Sequence, residues 1–242
     1  MVKNVKLKVS LLSYTTNPEQ NIVAAIRQCY SQVGAKELKE KTNKETRERL
    51  IRQIMASGHT STLEHASFTF AVEGVSRVTE IQLVRHRIGC SYSIQSGRYV
   101  KRGEAQYVIP PVILNGDKKV LKKIKKHFEN TQKLYNELLY LGIKAEDARY
   151  LQPQSLKTKI VVTMDARALL HFLTLRCCRR AQWEIQALAR EMLRVVKKKA
   201  PILFENAGPS CVSQGICFEG DMSCGLWKTI KGAELKTRIK NE

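Results

Sequence analysis

Three stretches of strand-like alternation, set among helical periodicities with no regular strand-helix-strand rhythm, constrain this chain most. Val5, Leu7, Val9 and Leu11 alternate, as do Phe68, Phe70 and Val72, and residues 158–163 form the third such stretch. Between them, Asn17-Pro18 predicts an N-cap and a first-turn proline opening a helix to Tyr30, and a second helix is expected from Thr46 to Ala56, stopped by Gly58. Ser61-Thr62-Leu63-Glu64 fits a capping box, and Val78, Ile81, Leu83 and Val84 predict a helix over Val75–Arg87. Gly89 should break that helix, leaving a serine-rich loop from Cys90 to Gly97. Val120, Leu121, Ile124, Phe128, Tyr135 and Leu138 mark a long amphipathic helix. Asp165 should cap a helix ending at Arg176, and another is expected from Arg180 to Lys199. Strands and helices mixed in this way imply a mixed α/β (α+β) fold, a single domain with a central mixed sheet flanked by helices. That domain is expected over residues 1–205, with 206–242 as a Cys/Gly/Lys-rich C-terminal tail.

A chain of 242 residues can bury roughly 70% of its unfolded surface, enough for a sizeable core. No apolar run approaches the ~20 residues of a membrane span, and Met1 to Lys6 carries no apolar signal core, so a cytoplasmic protein without membrane contact is expected. The seven cysteines, an odd number, fit reduced thiols rather than a disulfide framework. The net charge of +20 calls for an anionic partner. Lysines such as Lys118-Lys119, Lys122-Lys123 and Lys125-Lys126 read as a solvated helix face, whereas several arginines lie inside apolar segments, where a cation needs a partner or a ligand. Neither G-x-G-x-x-G nor G-x-x-x-x-G-K-[ST] occurs, so a nucleotide would have to be held by other means.

The densest chemical feature is Gln82-Leu83-Val84-Arg85-His86-Arg87, followed after eight residues by Ser96-Gly97-Arg98-Tyr99. Guanidinium forks match phosphate oxygens bidentately, a hydroxyl adds a neutral hydrogen bond, and a glycine lets backbone approach closely. This pattern resembles the signature of the flavin-dependent thymidylate synthases, Arg-His-Arg, usually seven residues, then Ser-x-Arg. The extra residue is placed within Ile88–Ser91, and Ile94 stands where the family often has an acid. Further upstream, Gly58-His59-Thr60-Ser61-Thr62-Leu63-Glu64-His65 is similar to a family segment whose first histidine and hydroxyl approach the flavin, and Arg27-Gln28-Cys29-Tyr30 resembles an early segment near it. Downstream, Arg149, Asp165-Ala166-Arg167, His171, Arg176 and Ala181-Gln182-Trp183-Glu184-Ile185 extend the match.

The resemblance implies reductive methylation of dUMP to dTMP, with methylenetetrahydrofolate as carbon donor and FAD, reduced by NADPH, as hydride donor. It assigns Gln82, Arg85, Gln95, Ser96, Gly97, Arg98, Arg149 and Arg176 to dUMP, and His59, Ser61, Arg85, His86, Arg87, Asp165, Arg167 and His171 to FAD. Arg176 and Ser96 are the candidate catalytic residues. Arg176 would stabilise negative charge developing on the uracil, while Ser96, with no base nearby in sequence beyond His86, is expected to position rather than attack. A homotetramer with sites shared between subunits is implied as well.

No metal is expected. His59, Glu64 and His65 match no standard zinc spacing, and Cys211-x5-Cys217-x6-Cys224 lies far from Cys-x2-Cys, so free thiols are the expectation there. Two rival readings make different demands. A basic nucleic-acid-binding module would be colourless and bind polynucleotides with steep salt dependence; a flavoprotein that only oxidises NADPH would be yellow and inert toward dUMP.

Overall fold

Alternation along Ser67–Ser76 buries Phe68, Phe70 and Val72 completely while their neighbours stay part-exposed, which is what a strand with one face on a core requires. In the computed structural model, residues 5–236 are described. In chain order they form β1 (Lys8–Tyr14), α1 (Pro18–Gln28), α2 (Ala35–Lys41), α3 (Lys44–Ser57), a 3₁₀ turn over Thr60–His65, β2 (Ser67–Ser76), α4 (Arg77–Leu83) and β3 (Cys90–Ile94). Then follow α5 (Pro111–Leu114), α6 (Lys118–Tyr140), α7 (Ala145–Ala148), β4 (Lys157–Asp165), α8 (Ala166–Arg176), α9 (Trp183–Val196), α10 (Ser210–Ser213), β5 (Ile216–Cys217) and β6 (Glu234–Leu235). The mixed α/β class holds, with a four-stranded sheet ordered β1-β2-β4-β3.

The pairing is antiparallel. Thr15 N donates to Ser67 O at 3.0 Å, Thr69 meets Thr163 at 2.9 Å while Glu73 meets Lys159 at 3.4 Å, and Gln95 N donates to Lys159 O while Asp165 N donates to Gly89 O, both at 3.0 Å. Partner numbers fall as strand numbers rise, the mark of opposed directions.

By its internal contacts the chain divides into two compact units. One is formed by residues 5–8, 71–85 and 92–161, the other by 9–70, 86–91 and 162–236. The core of the first is Tyr107, Ile109, Phe128 and Leu156, with Leu121 and Ile124 of α6 packed against it. The Tyr107 and Phe128 rings stack with centroids 4.3 Å apart. The second unit packs α1, α3, α8 and α9 around residues such as Ile22, Ile51, Phe68, Phe172, Leu188 and Phe204, all 0% exposed. Phe68 meets Phe204 edge-on at 5.5 Å. Among the described residues no helix is long and apolar enough to cross a membrane.

Several local expectations are corrected. Asn17 adopts a left-handed conformation, φ 49°, and its side chain does not cap α1. No capping box forms at Ser61, which lies inside the 3₁₀ turn, and Glu64 is engaged elsewhere in an ion pair. The helix expected over Val75–Arg87 is only Arg77–Leu83, because β2 continues to Ser76, whose Oγ accepts from Thr79 N at 3.3 Å and starts the helix. The polar stretch after Gly89 is in large part strand β3. The helix expected from Arg180 begins at Trp183, where the Gln182 Oε1 accepts from Glu184 N and Ile185 N. Helix α2, with Leu38 alone buried, was not expected.

In the C-terminal stretch, β5 pairs in parallel with β6, Ile216 opposite Glu234 and Cys217 opposite Leu235. All seven cysteines are free thiols, and among the described residues no group of three His, Cys, Asp or Glu side chains is arranged to hold a metal. Burial pushes the Cys177 thiol up to about 11, which makes it a poor nucleophile near neutral pH.

Candidate active site

Helix α4 ends at Leu83, and its free C-terminal carbonyl finds a donor in the Tyr92 hydroxyl, 3.0 Å from Leu83 O. The chain therefore leaves the helix before the Arg85-His86-Arg87 motif, which lies in a turn between α4 and β3 rather than on a helix end.

The first unit holds Gln82, Arg85, Gln95, Ser96, Gly97, Arg98 and Arg149. Gln82, Gln95, Ser96 and Gly97 are part-buried, while Arg85, Arg98 and Arg149 are exposed. The Ser96 Oγ accepts from Arg98 N at 3.1 Å, a local turn that fixes where the arginine departs. Arg98 pairs with Glu146 at 2.7 Å. The Arg149 Nε donates to Glu146 O at 3.0 Å. Gly97 is close beneath Arg149: a Cβ there would come within 3.2 Å of the Arg149 Cδ. Gly97 and Arg149 thus share one wall of a cleft of about 420 Å³ in this unit.

The second unit holds His59, Ser61, His86, Arg87, Asp165, Arg167, His171 and Arg176. The expected residue that touches the others most is His86. Its ring stands edge-on to Phe172 at 5.1 Å and to His171 at 6.1 Å, and the Arg176 Nε donates to its Nε2 at 3.1 Å. Burial first, then the Arg176 guanidinium and the neighbouring His171, lower the His86 pKa to about 4. A neutral imidazole accepting at Nε2 carries its proton on Nδ1, a tautomer assigned from the hydrogen bond. Two motifs that lie 90 residues apart in sequence are so brought into one contact.

The unfolded chain takes up the His86 proton near 6.5, the folded chain near 4, so this site's stability is fully present above 6.5 and is lost as pH falls toward 4. Replacing His86 by Asn is expected to flatten the melting temperature across that window, read by thermal melts at stepped pH.

Asp165 caps α8, its Oδ1 accepting from Ala168 N at 2.7 Å, while burial raises its carboxyl pKa. Its other oxygen lies against Gly89, where φ is +68° and a Cβ would overlap the carboxylate. Gly89→Ala is therefore expected to destabilise the fold by at least about 1–2 kcal/mol from the left-handed backbone alone, measured by denaturant melts. Arg167 pairs with Glu64 at 2.6 Å, and the 3₁₀ turn that follows His59 and carries Ser61 packs against α8. His59 and Ser61 are exposed and make no side-chain contact with the His86–Arg176 pair among the described interactions. The set fits a dinucleotide flavin. Arg87 and Arg167 offer exposed cations for a diphosphate, and two imidazoles, one held neutral, offer hydrogen bonds to a polar ring. Sequence reasoning did not find Glu64 as the partner of Arg167, 103 residues away, Glu146 as the partner of Arg98, or Phe172 against His86, since nothing local marks a distant acid as the partner of an arginine or an apolar residue as the wall of an imidazole.

Residues 10–202 match the family described as Thymidylate synthase complementing protein, and the chain belongs to that family. The flavin-dependent thymidylate synthase of Clostridium tetani is 47% identical across 97% of this chain and 97% of that protein. The enzyme of the same name from Geobacter sulfurreducens is 48% identical over 95% of this chain and 97% of its own length. A UMP/dUMP methylase, PolB from Streptomyces cacaoi, solved with 5-Br dUMP, superposes with a TM-score of 0.75 at 27% identity, covering 85% of this chain and 96% of that one.

Proposed function

We propose that this chain methylates dUMP to dTMP with FAD as its cofactor, taking the one-carbon unit from methylenetetrahydrofolate and reducing equivalents from NADPH. Family membership supports the reaction, and the single structural observation that carries it is the His86–Arg176 contact, which joins the signature motif to the final arginine of the pattern. Bound FAD would supply the hydride that completes the methyl group. The chain's own tasks are binding and electrostatics. Arg176, oriented by a neutral His86, would stabilise negative charge on the uracil as C5 attacks the incoming carbon and later loses its proton. Gln82, Arg85, Gln95, Ser96, Gly97, Arg98 and Arg149 would hold the nucleotide. His59, Ser61, Arg85, His86, Arg87, Asp165, Arg167 and His171 would hold the flavin.

Residues 1–205 form the catalytic part in this reading and 206–242 an appendage to it. A homotetramer in the cytoplasm belongs to the same proposal. Tyr30, Ile88, Tyr140 and Tyr150 are 84–93% exposed in the single chain, apolar surface that subunit contacts would cover.

The test is a flavin spectrum of the purified protein followed by tritium release from C5-labelled dUMP with NADPH and methylenetetrahydrofolate. Tritium release dependent on both co-substrates is expected. A yellow protein inert toward dUMP would leave an NADPH oxidase, and a colourless one with salt-sensitive polynucleotide binding would leave a nucleic-acid module.

A further inference from the structure

The cleft beside Gly97 and Arg149 holds more positive charge than those two residues account for. Arg77 and Arg102 line it as well, with Gln152. Arg77 is balanced by Glu80, 2.7 Å from its Nη1. Among the described residues Arg102 forms no ion pair within contact distance, and Glu80 attracts it only through space: its Nη1 donates to the Lys157 carbonyl at 2.8 Å, and its Nε is buried without a hydrogen bond. Gln152 is in a similar position, with its Oε1 taken by the Tyr107 hydroxyl at 3.0 Å and its Nε2 buried and unpartnered. Burial and the neighbouring Arg77 cation lower the Arg102 pKa, so the site disfavours the charge it nonetheless carries. Buried donors and cations left in this state are costly unless an acceptor arrives.

Three guanidiniums around one carboxylate leave a surplus of two positive charges in a cleft of about 420 Å³, a size within the range of small-ligand sites. A phosphate monoester matches both the charge and the need for several acceptor oxygens, whereas a single carboxylate supplies half the charge. We propose that Arg102, supported by Gln152, is a further positioning residue for the 5′-phosphate of the nucleotide substrate. This rests on the reading that Gly97 and Arg149 hold dUMP, and adds to it a cation outside the signature.

The experiment compares dUMP with deoxyuridine, which lacks the phosphate, on FAD-loaded wild-type enzyme and on the Arg102→Leu, Arg102→Lys and Gln152→Leu variants, with melting temperature and bound flavin recorded for each. Arg102→Leu should weaken dUMP binding about 10- to 100-fold, leave deoxyuridine unchanged and place the loss in KM rather than kcat. Arg102→Lys should recover part of the affinity, and Gln152→Leu should show a smaller loss of the same kind. Equal weakening of both ligands, or none, overturns the proposal by assigning Arg102 to the fold alone. Should wild-type enzyme fail to bind dUMP, the functional reading fails instead. In that event inorganic phosphate is the probe: stabilisation by phosphate that vanishes in Arg102→Leu keeps the pocket as a phosphate site, and stabilisation that persists removes it.

Discussion

Arg176→Ala should lower turnover with dUMP by about 10²- to 10³-fold while flavin stays bound, the loss expected when a group facing developing negative charge is removed. Two physical tasks end together in this variant. The guanidinium charge is lost, and the His86 Nε2 loses the donor that now stands 3.1 Å away. Arg176→Lys separates them, since it keeps a cation but not the planar fork, and should fall between the two. Steady-state kinetics with the flavin absorbance as an internal measure of loading would check this. A rate within a factor of a few of wild type would take Arg176 out of the chemistry.

Phe172→Ala is expected to have the largest effect on stability, about 3–5 kcal/mol, because the ring, carried on α8, is fully buried and its deletion loses both the burial and the packing around it. The same ring stands 5.1 Å edge-on to His86, so its removal also takes away one wall of the imidazole. Denaturant melts should show the loss of stability, and where the loosened packing lets water reach His86 its pKa should move back up from about 4 toward 6.5, followed by NMR of the imidazole. Phe172→Leu, which keeps much of the volume, should lose far less of both.

What the sequence made legible was whatever rests on local periodicity and local hydrogen bonding. The amphipathic stripe of Lys118–Tyr140, the Asp165 cap and the Gly58 stop at φ +75° each depend on a few adjacent residues. Ser61 and Glu64 looked like a capping box because their spacing allows one, but Glu64 finds Arg167, 103 residues away, and no local pattern encodes that choice. The Val75–Arg87 helix was overestimated because β-branched residues at helical spacing also suit a strand, and Gly74, at φ +77° with Lys6 O in the way of any Cβ, belongs to the strand's close pairing. Strand β3 went unseen since its period-two exposure is carried by Cys, Ser and Tyr instead of an apolar alternation. Arg102 and Gln152 carried no signal at all, because a surplus of charge in a cleft becomes visible only once its walls are assembled.

Arg98 and Arg167, both expected to grip anions, are each already gripped, by Glu146 at 2.7 Å and by Glu64 at 2.6 Å. If the proposed roles hold, capture of a ligand at either arm is an exchange, in which an incoming anion displaces a tethered carboxylate and the freed acid goes to water. The tethered acids keep two long side chains docked near their posts while the ligand is away, sparing part of the ordering entropy, and they compete for the same cations when product must leave. Tightness is surrendered for turnover, an arrangement suited to a molecule that has to let go of each nucleotide it has altered.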